Sequence, residues 1–86
     1  SAVKSNWNNM RSNLATMDYL EAKLENLDRE LDTIRTEMEY GQKSEGDLKR
    51  KQLEIVNMRS QLLASKIALF QNVYTLQYLT GADFSD

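Results

Sequence analysis

Apolar residues in the first half of the chain recur at steps of three and four: Met17, Leu20, Leu24, Leu27, Leu31, Ile34 and Met38. A seam kept over three heptads predicts an α-helix that supercoils left-handedly against a partner helix. Upstream the seam continues less regularly through Trp7, Met10 and Leu14. The predicted helix runs from about Lys4 to Tyr40, with Glu25 and Arg29 on its outer face as a favourable i,i+4 pair. In the second half Leu48, Ile55, Leu62, Leu69 and Leu76 recur every seventh residue. Val56, Leu63 and Phe70 lie one residue over, and Leu53, Ile67 and Tyr74 widen the apolar face to roughly 200° of the helical wheel. One neighbour cannot cover that width, so the second helix expects partners on at least two sides.

The segment between the two halves reads as a turn. Gly41 stands where a residue in the left-handed conformation ends a helix, which glycine does without Cβ strain. Ser44-Glu45-Gly46-Asp47 reads as a capping box. Ser44 accepts from the Asp47 N–H, and the Asp47 carboxylate reaches back to the Ser44 N–H at the positive end of the helix dipole. Gln42 and Lys43 are left exposed between them. Thr80-Gly81 repeats the stop signal and sets off an acidic tail, 81–86. The predicted fold is all-α: an antiparallel two-helix coiled-coil hairpin, with its tip at 41–44 and its second helix from about Glu45 to Thr80. Alone, such a hairpin leaves its wide face in water, an apolar patch larger than monomers usually tolerate. Self-association is therefore expected, a dimer of hairpins forming a four-helix bundle being the simplest form.

Composition narrows the chemistry. No proline and only three glycines among 86 residues suit a chain that is nearly all helix. The absence of both His and Cys removes the imidazole base, the thiolate nucleophile and any His/Cys metal cluster. Its carboxylates sit at helix-surface spacing, without the loop that would hold calcium. Neither an enzyme nor a cofactor or metal site is expected. The net charge of −2, with acids and bases interleaved, points to no nucleic-acid or membrane-surface partner. The longest apolar stretch, Ile67-Ala68-Leu69-Phe70, is too short to span a bilayer or to form a signal-peptide core. The chain opens Ser-Ala-Val, which suggests processing or excision from something longer.

The stretch from Gly41, "GQKSEGDLKRKQLEIVNMRSQLLASKIALFQNVYTLQYLTG", resembles the last periplasmic helical hairpin of TolC-type outer-membrane efflux proteins. That pattern has a G-x-x-S/T-x-x-D-hydrophobic tip, an aromatic near the end of the helix, and a closing L-x-G. Gly41, Ser44, Asp47, Leu48, Leu62, Tyr74, Leu79 and Gly81 fall at matching positions. The first half matches more loosely, as amphipathic heptads do. The resemblance implies a tunnel-wall hairpin of a homotrimeric efflux or secretion channel, in the periplasm of a Gram-negative type envelope. Contact with the membrane would be made only by other parts of a longer parent. Tyr40, Gly41, Gln42, Lys43 and Ser44 would then meet a periplasmic adaptor protein, and Asp47 would face the narrow end of the tunnel as part of its gate.

Two positions depart from that pattern. The family's second acidic position, one turn after Asp47, is Arg50, and a tyrosine three residues before the tip glycine is Met38. Both bear on gating rather than on architecture. On residues alone, Gly41 is a helix stop, Lys43 a solvated loop residue, Asp47 a cap, and Trp7, Phe70, Tyr74 and Tyr78 are packing residues. Two further functions fit a hairpin: a free-standing coiled-coil scaffold, and the hairpin of an adaptor. The adaptor tip, Arg-x-x-x-Leu-x-x-x-x-x-x-Ser, counted back from Ser44, would need residues other than Glu37 and Thr33.

Overall fold

A computed structural model describes the backbone of residues 2–84 and the side chains of residues 2–81. Two helices, α1 (Ala2–Glu39) and α2 (Glu45–Phe84), lie antiparallel in a rod of 69 × 14 × 14 Å. The fold is an all-α hairpin, with no strand among the described residues.

Its seam is narrow because one helix pair offers one line of contact. Leu20, Leu24 and Leu27 of α1 and Ile55 of α2 are the buried apolar residues. Leu31, Met58 and Leu62 pack against the cluster formed by Leu24, Leu27 and Ile55. Met38, Leu48, Leu69 and Leu76 extend this line as half-buried side chains, as their heptad positions predict.

The upstream part of the seam differs from expectation. Trp7 and Leu14 are exposed, at 48% and 38%, while Val3, Asn6, Met10 and Asn13 are the half-buried residues. The heptad explains this. Stepping back by sevens from Leu27 and Leu20 reaches Asn13 and Asn6, whereas Trp7 and Leu14 stand one residue to the side. Periodicity outranked hydrophobicity at this end. The outer-face pair also rearranges: among the described residues no Glu25–Arg29 ion pair forms, and Arg29 donates to Asn26 Oδ1 at 2.7 Å.

At its far end α2 does not stop at Gly81 but continues to Phe84, so the expected boundary of the tail is displaced. Gly41 is the one described glycine with positive φ, which leaves Gly81 in helical conformation. Near a helix end, glycine at negative φ costs only its propensity penalty, about 1 kcal/mol. Residues 85 and 86 lie outside the described residues.

Candidate functional site: a capped tip, a polar clasp and an uncovered seam

The tip begins with a Schellman turn. Gly41 adopts φ +73°; its N–H donates to Met38 O at 3.0 Å, and Gln42 N–H donates to Glu37 O at 2.8 Å. These bonds satisfy carbonyls that the end of α1 would otherwise leave without partners. The capping box then opens α2. Asp47 N–H donates to Ser44 Oγ at 3.2 Å, Ser44 N–H donates to Asp47 Oδ2 at 2.9 Å, and Ser44 O–H donates to the same oxygen at 3.0 Å. Arg50 donates to Asp47 Oδ1 from one turn further on. The Ser44 backbone bond and then its hydroxyl hold the Asp47 carboxyl below its ordinary range, outweighing desolvation, and Arg50 adds to the lowering.

Ser44, Asp47 and Arg50 are thus brought together in one network. Tyr40, at 75% exposure, projects beside exposed Gly41, Gln42 and Lys43. The apex is a hydrogen-bonded backbone turn presenting an aromatic ring, an amide and an ammonium to solvent.

Along the rod, two hydrogen-bonded polar clasps join the helices among the described residues, besides a looser Arg59–Asp28 ion pair at 3.9 Å. Near the tip, Lys51 occupies a seam position and donates to Glu30 Oε2 of α1 at 2.7 Å and to Glu54 Oε2 at 3.2 Å. The Glu30 bond chiefly, helped by Glu54, pushes the Lys51 ammonium above its ordinary value. At the other end Asn6 Nδ2 donates to the Asn72 carbonyl at 2.6 Å, Asn72 Nδ2 donates to Asn6 Oδ1 at 3.2 Å, and Asn13 Nδ2 donates to Asn72 Oδ1 at 2.5 Å. The sequence reading missed both clasps. Their signal was the heptad register itself, which sets Asn6, Asn13, Lys51 and Asn72 on the seam in place of apolar residues.

The remaining feature is the outer face of α2. Leu53, Val56, Leu63, Ile67, Phe70 and Tyr74 are between 50% and 72% exposed. They step by three and four, with Ser60 completing the series, and so form a second heptad seam rather than a broadening of the first. The first seam of α2 runs through Leu48, Lys51, Ile55, Met58, Leu62, Ser65, Leu69 and Asn72. At 3.5 residues per turn the midlines of the two seams lie about 150° apart around the helix.

Among the described residues there is no cluster of three or more acidic side chains placed to hold a metal, and no helix is long and apolar enough to cross a membrane. No family profile, curated protein or solved structure matches this chain.

Proposed function

We propose that the hairpin is one stave of a tubular helical wall, specifically a periplasmic tunnel-wall hairpin of a trimeric TolC-type outer-membrane efflux or secretion channel. The angle between the two seams of α2 is the observation that carries the reading. A helix in a closed four-helix bundle meets its neighbours at about 90°. A helix with seams about 150° apart instead stands in a gently curved row, and a ring of roughly a dozen helices would close if every helix made that turn. This favours a wall over the free-standing bundle that the seams of an isolated coiled-coil scaffold would form. The polar tip, with Tyr40, Gln42 and Lys43 outward, suits the adaptor-docking end. Asp47 and Arg50, one turn inside it, suit the gate.

A longer channel protein carrying this hairpin should form ion-conducting pores in planar bilayers. Single-cysteine reporters at Leu63 and Ile67 should cross-link to a neighbouring helix and not to one another across a bundle. Absence of pores would overturn the channel. Cross-links within a compact four-helix unit would favour the scaffold.

A further inference from the structure

The second seam of α2 carries information about what covers it. Leu53, Val56, Leu63, Ile67, Phe70 and Tyr74 expose on the order of 700 Å², close to the ~800 Å² per partner that a specific interface buries. Alongside Leu53 to Tyr74 its charged border has one sign: Arg59 and Lys66 lie seven residues apart along one edge of this seam. Towards the tip Lys49 stands in its line, 4.0 Å from Glu45, which begins the same edge. From Ile55 to Thr80, α2 contains no carboxylate. Arg59 is only loosely engaged, its guanidinium 3.9 Å from Asp28 of α1 and mostly exposed.

A second copy of α2 fits this border poorly. Two such helices packed antiparallel about Leu63 bring like edges together, which sets Arg59 against Lys66 of the other copy twice along one edge. Like charges placed so destabilise the pairing. A parallel arrangement avoids that repulsion but offers each cation no carboxylate. An acidic edge answers it.

We infer that the second seam of α2 docks an amphipathic helix whose apolar heptads are flanked by Asp or Glu, a different helix from α2 itself. This rests on the reading of α2 as the middle of a row of helices. Specificity comes from the border, and most of the affinity from the apolar line.

Two synthetic helical peptides test it on the 86-residue chain. Both carry four identical Leu/Ile heptads, one with Glu and the other with Lys at every flanking position. Binding is followed by fluorescence anisotropy at low and high salt, with sedimentation reporting any self-association of the hairpin. The Glu-flanked peptide should bind about tenfold more tightly at low salt, lose that advantage at high salt, and displace self-associated hairpins. With Arg59→Gln and Lys66→Gln together the preference should fall away while binding persists. Ile67→Asp should abolish binding of both peptides with helicity retained. Equal binding of the two peptides overturns the acidic partner and leaves the row of helices standing. Binding of neither overturns both.

Discussion

Asn6 and Asn72, 66 positions apart in the chain, hold each other reciprocally. The Asn6 amide donates to the Asn72 carbonyl, and the Asn72 amide donates to the Asn6 side-chain oxygen. Asn13 completes the cluster by donating to Asn72 Oδ1. All three side chains are half-buried, so they meet one another more readily than water. Polar residues inside an apolar seam give up stability and gain register, because a slipped pairing leaves them unsatisfied. Asn72→Ala should therefore lower stability by about 1–2 kcal/mol, the cost of leaving part-buried amides without partners. Replacing all three residues with Leu should leave the melting temperature equal or higher but loosen alignment at this end. Thermal melts with disulfide trapping across the seam would read both effects. A triple variant less stable than Asn72→Ala would contradict the register role.

The two faces of α2 give opposite predictions for adjacent residues. Leu62 packs against the core cluster, while Leu63 is 59% exposed. Leu62→Ala should cost roughly 2–3 kcal/mol in urea unfolding, and buried Ile55→Ala as much or more. Leu63→Ala should change the unfolding of a dilute hairpin by a few tenths of a kcal/mol while weakening its association. Glu25→Ala, on the outer face of α1, should be close to neutral. Equal losses from Leu62→Ala and Leu63→Ala would show that the faces are misassigned.

The glycines separate by backbone and not by space. A Cβ at Gly41 or at Gly81 would meet nothing within 4 Å, but only Gly41 has positive φ. Gly41→Ala should cost about 1 kcal/mol or more through left-handed strain. Gly81→Ala should be neutral or stabilising by up to about 1 kcal/mol, because helical alanine replaces helical glycine. Circular dichroism melts of the two variants would compare them directly.

The capping box should leave a pH signature. Asp47 titrates below its ordinary value of 3.8 in the folded chain, so its cap stabilises fully above that value. This contribution should be lost as pH falls through the lower folded value. Asp47→Asn should remove this part of the acid dependence of helicity. An unchanged acid limb in that variant would mean that other carboxylates govern it. Lys51 has the opposite sign: its raised value gives stability that is complete below 10.5 and lost at more alkaline pH.

The Arg50–Asp47 contact bears on the proposed gate. Arg50 pairs with Asp47 one turn away in the same helix, which partly neutralises any ring of Asp47 carboxylates from converging hairpins. In a longer channel protein carrying this hairpin, as proposed above, Arg50→Asp should raise cation selectivity and block by multivalent cations. Arg50→Ala should leave single-channel conductance unchanged if the pair stays within one helix. A rise in conductance would identify Arg50 as a clasp between hairpins, and unchanged selectivity in Arg50→Asp would remove it from the lumen.

Local rules in the sequence determined the two helices, the reversal at Gly41 and the Ser44–Asp47 box. A Schellman glycine and an N-cap hydroxyl act over four or five residues and need no distant partner. The central seam from Met17 to Met38 was legible for a related reason: a strict heptad leaves a helix one face to bury. Tertiary structure decided the rest. The heptad register pointed to Asn6 and Asn13 over Trp7 and Leu14, but their polarity spoke against a seam position, and the partner helix decided it, because half-buried asparagines facing Asn72 satisfy one another. Only the position of α1 against α2 split one wide apolar face into a covered line and an exposed one, since a single neighbouring helix shields a single stripe. At Gly81 a stop signal alone was insufficient: a glycine ends a helix when it takes up the left-handed conformation itself, and here Gly81 stays helical and α2 continues to Phe84.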